Sequence, residues 1–287
     1  MADTLYQESG RDPSPVEQVL SELERIDPKW RIEVGDPGDG PGWVRGLDLA
    51  RGSEGPFHAL LERIGHRLRT KDKLTVAASF SLRFGWCASV AIAPYIIGQC
   101  VPDVGLANIS LKFREDTLFE RTALFSPRGL MLGDSPRTLH PLVRYESDPI
   151  SLLHVLREQL HQQAAPVVEA LYEWSGFSRK GSWGMITSSW ASQFINVCGR
   201  FSDQPAAMPM MRDFFAGADE VSRMQPRFHP VSMRGETHIY QRRASCCRYY
   251  LLPKGDLCAS CPLVSDEERL RRNKAWMEQQ LDRQKAR

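Results

Sequence analysis

Apolar residues recur every three or four positions along most of the chain and every second position in one short stretch, and that contrast sets the expected elements. Val19, Leu20 and Leu23 share one side of the stretch Ser14 to Ile26, and Pro15 suits its first turn, which predicts a short amphipathic helix. GDPGDGPG, residues 35–42, follows as a loop by composition. Helical sequence begins near Pro56, where Phe57, Leu60, Leu61, Ile64 and Leu68 keep helical spacing. Ala107, Ile109, Leu111 and Phe113 alternate with Asn108, Ser110, Lys112 and Arg114, the period of a half-buried strand. Thr117 to Phe125 is expected to pair with it across the Glu115-Asp116 turn.

Two long helices are predicted next. Asp148 and Pro149 form an N-cap and N1 pair, after which Leu153, Leu156, Leu160, Ala164, Val167, Leu171 and Trp174 continue the stripe. Pro166 should kink or divide this helix. Ser182 is expected to cap the second, whose stripe is Ile186, Trp190, Phe194, Val197 and Phe201. His154 and His161 stand seven residues apart, whereas a helical metal pair usually stands one turn apart, so both are read as structural or solvent-facing. A Met- and Pro-rich connection around 205–230 leads to a short strand from Thr237 to Arg243. Ser265 and Glu268 are in capping-box register for a charged C-terminal helix with a narrow seam of Leu270, Met277 and Leu281.

Phe84 to Pro102 runs nineteen residues without a charge, just long enough to cross a bilayer. Pro94, Gly85, Gly98, Gln99 and many small residues favour a buried core helix, with peripheral membrane contact as the alternative. The expected class is α+β: helix-rich, with a small antiparallel sheet and a C-terminal cysteine-ligated cluster region. The expected divisions are an acidic N-terminal extension with one short helix (1–55), a helical or mixed binding domain (56–235), a cluster-binding segment (236–263) and a charged C-terminal helix (264–287).

A net charge of +2 makes no case for nucleic acid. It is unevenly spread, however: the first 60 residues are net acidic and the remainder net basic. Seven cysteines is an odd count, and the N-terminus lacks the basic start, apolar core and cleavage site of a secretory signal. A reduced, cytoplasmic chain is therefore expected, with association at the inner face of the membrane as the variant of that reading. Cys87, Cys100 and Cys198 stand singly in apolar segments and read as small buried hydrophobes.

The other four cysteines lie within RRASCCRYYLLPKGDLCASCP, residues 242–262. Cys258-Ala-Ser-Cys261 is a loop that lets two thiolates converge on one metal. Cys246 and Cys247 are adjacent, and on an extended strand their side chains would point to opposite faces, so only a turn could aim both at one site. A two-iron cluster relaxes that demand by offering two metal corners. The adjacent pair tilts the reading towards [2Fe-2S], while spacing alone leaves zinc and redox-active thiols open. Arg242, Arg243 and Arg248 flank the pair and Lys254 lies in the loop, an electropositive setting for thiolates.

The run R-R-x-x-C-C-x-x-Y-x-L-P followed by C-x2-C, with ten residues between Cys247 and Cys258, resembles the terminal signature of the ferric siderophore reductases of the ferric hydroxamate type. The resemblance implies that Cys246, Cys247, Cys258 and Cys261 hold a [2Fe-2S] cluster. It implies one-electron reduction of a ferric siderophore to release Fe(II), with the electron supplied by an external ferredoxin-like or flavin-bearing donor. No G-x-G-x-x-G fingerprint for a nicotinamide or flavin cofactor occurs in a strand-to-helix setting. Arg242, Arg243 and Arg248 are the expected contacts for an anionic ferric siderophore. Elsewhere the likeness thins to Pro166–Tyr172 and Ser182–Asn196, and the acidic N-terminus and the charged helix after Cys261 depart from it. The competing readings are a siderophore-binding or assembly protein with a structural zinc, and a bare iron–sulfur electron carrier.

Overall fold

The computed structural model describes residues 12–51, 55–87, 89–133, 140–201, 203–217 and 219–285. In chain order the elements are α1 (Pro15–Ile26), β1 (Ile32–Val34), β2 (Trp43–Arg45), α2 (Gly46–Leu49), α3 (Gly55–Leu68), α4 (Lys73–Trp86), α5 (Ser89–Gly98), β3 (Cys100–Pro102), β4 (Ile109–Phe113), β5 (Phe119–Leu124), β6 (Gly129–Leu132), β7 (Val143–Glu146), α6 (Pro149–Ser175), α7 (Arg179–Phe201), α8 (Ala207–Phe214), α9 (Glu220–Arg223), β8 (Arg227–Met233), β9 (Glu236–Arg242) and α10 (Asp266–Lys285). The fold is α+β. Helices dominate, and the strands form three small sheets ordered β1-β5-β4-β2, β3-β6-β7 and β8-β9. Pairing is antiparallel except for β1 with β5 and β6 with β7.

Local chemistry explains the first elements. The Ser14 backbone N–H donates to Glu17 at 2.7 Å and the Glu17 N–H donates to Ser14 Oγ at 3.1 Å, a complete capping box at the start of α1. Val16, Leu20 and Leu23 then bury one face. The stretch 1–55, expected as an extension, is part of the main fold over its described residues. β1 adds beside β5, β2 adds beside β4, and one hydrophobic core runs from Val16 on α1 to Ile239 on β9. Of its described acidic residues only Asp27 is buried and the rest are half-buried or exposed, which is why composition alone made it look detachable.

The β4–β5 hairpin turns across Glu115-Asp116, with Thr117 left-handed at φ 66°. Pro166 does not divide α6, which runs unbroken for 27 residues from its Asp148 cap. The cap of α7 differs from expectation: Ser178 Oγ accepts the Gly181 N–H at 3.1 Å, so the helix starts four residues before Ser182 could cap it. The uncharged run from Phe84 is the end of α4, then α5, then β3, and not one helix. Lys73–Gly98 is long and apolar enough by length and composition to cross a membrane, and three-quarters of its apolar window is buried inside the fold.

α4 and α7 form the central pair. A Cβ on Gly85 would stand 2.6 Å from Ser189 Cβ, so the glycine permits the close approach, and Ser189 Oγ donates to Leu82 O at 2.9 Å across the seam. Further along, the connection expected at 205–230 gives way to β8, which carries Pro230 opposite Ile239 in a two-stranded hairpin. α10 lies on that hairpin, burying Met277 and Leu281 against Val231, while Leu270 of the expected seam stays 40% exposed.

Candidate metal centre

β9 delivers the chain to the cysteines. Gln241 Nε2 donates to Ser188 O at 3.0 Å, and the Ala244 N–H donates to Ser188 Oγ at 3.4 Å, which ties the end of the strand to α7. Gly184 on α7 makes room for the bend at 244–245: a Cβ there would meet Ser245 Cβ at 2.7 Å. The turn demanded by two adjacent cysteines is present. The chain bends before Cys246 and enters the left-handed region at Arg248, φ 60°. The second pair is folded by its own turn, with the Cys261 N–H donating to Cys258 O at 3.0 Å. The Arg243 N–H donates to Ser260 O at 2.8 Å and joins the two segments.

All four cysteines line one small chamber of about 300 Å³, with Thr75, Arg83, Trp86 and Arg243 among its walls. Cys246 Sγ and Cys261 Sγ are 3.5 Å apart. The Arg248 backbone N–H donates to Cys246 Sγ at 3.4 Å. Cys258 Sγ accepts from the Arg243 guanidinium and lies 3.5 Å from Ser260 Oγ. Cys261 is buried, Cys246 and Cys247 are half-buried, and Cys258 is exposed. Burial pushes the Cys261 thiol up to about 11, with neighbouring Cys246 and Cys258 adding to it. Among the described residues no three Cys, His, Asp or Glu side chains converge around a single-ion point. The sulfurs meet in the chamber as a close pair with two further thiols beside it, which suits two metal corners better than one tetrahedral ion.

Two cations face this chamber, Arg243 buried and Arg83 half-buried. Arg243 is only 7% exposed. Burial works against its charge, but Cys258 and Cys247 outweigh that and hold its pKa above the ordinary value. Arg83, on α4, has its pKa lowered by burial, against the opposing pull of Asp116 and Cys247. Its Nη1 donates to Ser79 O at 3.1 Å, whereas Nε of Arg83 and Nε of Arg243 are buried without an acceptor among the described residues. A [2Fe-2S] cluster on four thiolates is a dianion, so the donor set and the two cations fit that group, and both free N–H groups suit a sulfur-rich acceptor.

Of the three arginines expected to meet substrate, Arg243 is buried, and Arg242 and Arg248 are half-buried with partners inside the protein. Arg242 donates to Pro262 O at 3.0 Å, Arg243 lies over the thiols, and Arg248 donates to Thr75 Oγ1 and Asp72 Oδ2, both at 3.2 Å. Arg248 ties the cysteine segment to the capped start of α4, while Arg242 and Arg243 join its two halves to each other. Two arginines on α10 act likewise. Arg269, 2% exposed, donates to Cys261 O at 2.9 Å and to Val264 O at 2.6 Å, and Arg272 donates to Leu257 O. Arg83, Arg269 and Arg272 escaped sequence reasoning because only the tertiary fold brings them to the cysteines.

The remaining cysteines are remote from this chemistry. Cys87, Cys100 and Cys198 are buried in the core, and burial pushes the Cys100 thiol up to about 12 and Cys198 up to about 11. His161 stacks on Trp183 at 5.1 Å, with rings 10° from parallel, and His154 is exposed on the same helix.

The cysteine chamber opens beside a larger cleft of about 880 Å³. Trp86 lines both. Ala259 and Ser260, the two residues inside the C-x2-C loop, line this cleft together with Tyr240 and Trp276. Its charged lining is Asp203, Glu236 and Arg272, and Arg272 is already paired with Glu268 at 2.6 Å.

Residues 243–263 match the profile of the FhuF 2Fe-2S C-terminal domain, a short region that spans all four clustered cysteines. That similarity identifies the cofactor of this segment as a [2Fe-2S] cluster and aligns it with siderophore-iron reductases at the level of the domain. No curated protein matches the chain.

Proposed function

We propose that this chain is a ferric-siderophore reductase whose cluster ligands are Cys246, Cys247, Cys258 and Cys261. The observation that carries the reading is the gathering of these four thiols, and no others, in one chamber under buried arginine, within the segment that matches the 2Fe-2S domain. The bound cluster would supply one-electron transfer at a potential raised by neighbouring cations and hydrogen bonds. The protein's own work is to hold the four sulfurs, bury Cys261, half-bury Cys246 and Cys247, and offer a docking cleft beside the exposed Cys258.

Fe(III) in a siderophore is held by hard oxygen donors, and one electron converts it to Fe(II), which those donors hold far less well. Reduction is therefore release. The cleft walled by Ala259 and Ser260 brings a docked complex to the C-x2-C loop, with Trp86, Tyr240 and Trp276 to pack against its organic shell. Its unpaired charges are acidic, and Arg242, Arg243 and Arg248 are occupied, so the charge of the site favours a neutral or cationic complex over the anionic one expected from sequence. The electron comes from an external ferredoxin-like or flavin-bearing donor in the cytoplasm or at the inner membrane face. Exposed Tyr249, Tyr250, Leu251 and Leu118 near the chamber supply an apolar surface for such encounters.

The test is anaerobic purification followed by iron, sulfide and zinc analysis, then addition of ferric complexes to the dithionite-reduced protein. About two iron and two sulfide per chain, with rapid reoxidation by a neutral trihydroxamate complex, is the expected result. Stoichiometric zinc in a colourless folded protein would falsify the cluster assignment. A brown protein that no ferric complex reoxidises would leave an electron carrier in place of a reductase.

A further inference from the structure

In sequence the cysteines form two couples, Cys246 with Cys247 and Cys258 with Cys261, and the simple expectation is one couple per iron. The chamber arranges them differently. Two thiolates bound ~2.3 Å from one tetrahedral metal stand ~3.8 Å apart. Cys246 Sγ and Cys261 Sγ, one from each segment and the second of them buried, are already 3.5 Å apart. The Arg243 guanidinium reaches Cys258, the exposed thiol, and half-buried Cys247 lines the same chamber, which leaves these two as the other pair. The cross-link between segments through Arg243 N–H and Ser260 O fixes this pairing in the backbone.

Resting on the ligand set proposed above, we infer that the two irons are ligated crosswise, an inner iron by Cys246 and Cys261 and an outer iron by Cys247 and Cys258, with the outer iron accepting the electron. The second half follows from the surroundings. Added negative charge is stabilised where cations, hydrogen bonds and solvent are nearest. Arg243 lies at Cys258, and Cys258 is the exposed member of the set. Cys261 is buried, with the α10 clamp on its carbonyl, the Leu263 N–H and the Cys246 and Cys258 sulfurs around it, and its sulfur has no guanidinium hydrogen-bonded to it among the described residues. The balance is one electron in, from dithionite or the external donor, and one ferric ion of the pair becoming ferrous, with no bond made or lost by the protein. The outer iron's exposed ligand, Cys258, also opens the C-x2-C loop whose Ala259 and Ser260 line the cleft.

Cys→Ser variants at the four positions, reduced with dithionite, test this by EPR and redox titration. An alkoxide is a harder donor that favours ferric iron, so it lowers the potential most at the iron that is reduced. Cys247→Ser and Cys258→Ser should share one g-pattern and the larger fall in potential. Cys246→Ser and Cys261→Ser should share a second pattern with a smaller fall. A grouping of Cys246 with Cys247 and of Cys258 with Cys261 overturns the inference, as does the larger fall at the inner pair. Where a serine variant does not retain its cluster, ⁷⁷Se-selenocysteine placed singly at each position keeps a soft donor. The selenium hyperfine coupling then sorts the four positions by iron, with the same two groupings deciding the outcome. Iron and sulfide content of the unaltered protein judges the ligand set separately, so a failed pairing and a failed cluster assignment give different results.

Discussion

Arg243 shows how far a single residue's role depends on where its side chain ends. Its position beside two cysteines and in a basic run reads as a surface charge for substrate, yet it is 7% exposed and spends its guanidinium on thiols. A unit charge ~4 Å away at an effective dielectric of ~20 is worth about 4 kcal/mol. Removing it from the neighbourhood of an added electron should therefore lower the potential by roughly 100 mV or more. Arg243→Gln is expected to show that fall in a redox titration, with the visible spectrum retained, while Arg243→Lys keeps most of the wild-type potential. Equal potentials in Arg243→Gln and wild type would remove the electrostatic role. The same residue also argues against steering: salt should leave the reoxidation rate by ferric complexes nearly unchanged, since a buried charge is poorly placed to attract a distant anion.

At the scale of elements, what the sequence disclosed was what local patterns encode. The Pro15 start of α1, the alternation through β4, the Asp148-Pro149 start of α6 and the clustering of four cysteines all depend on neighbours within a short stretch, and the structure has each of them there. Ser182 failed as a cap because Ser178, equally suited, stands one turn earlier and Ser182 is inside the helix and buried. β8 was hidden because Pro230 interrupts the strand signal, although a hairpin edge tolerates a missing N–H. The second ring of site residues was illegible for a different reason: Arg83 and Trp86 come from α4, and Arg269 and Arg272 from α10, so only packing unites them. Gly184 belongs to this class. In a helix, Gly184→Ala should gain up to ~1 kcal/mol of propensity, but the new Cβ would sit 2.7 Å from Ser245 Cβ, an overpacking that costs about 1–3 kcal/mol. The strain falls on the cysteine segment. The expected result is unchanged far-UV circular dichroism with reduced iron content and faster loss of iron to a chelator, and iron retention equal to wild type would show that the bend can shift freely.

For the whole molecule, the decisive arrangement is that the site is built between a large core and a separately packed helix. The core is continuous from Val16 to Ile239, whereas Met277 and Leu281 of α10 belong to a second small cluster with Val231 on the β8–β9 hairpin. α10 also carries the two arginines that hold backbone carbonyls on either side of the C-x2-C loop, Leu257 before it and Cys261 at its end. Removing residues 265–287 should therefore leave the main core folded while loosening the half of the cluster site that the helix clamps. The lost hydrogen bonds involve charged donors, each worth about 1.5–3 kcal/mol, and the uncovered Val231 adds the loss of apolar burial. The shortened chain is expected to be soluble, with its main unfolding transition within a few degrees of the full chain, but to release iron at least tenfold faster to a ferrous chelator after reduction. Arg269→Gln in the full chain should reproduce part of that acceleration, because it frees the Cys261 and Val264 carbonyls without uncovering the hairpin. If the shortened chain instead keeps its iron as firmly as the full one, the cysteine segment is held by α7 and the Arg243–Ser260 link alone, and α10 is a cover for the hairpin with no part in the metal centre.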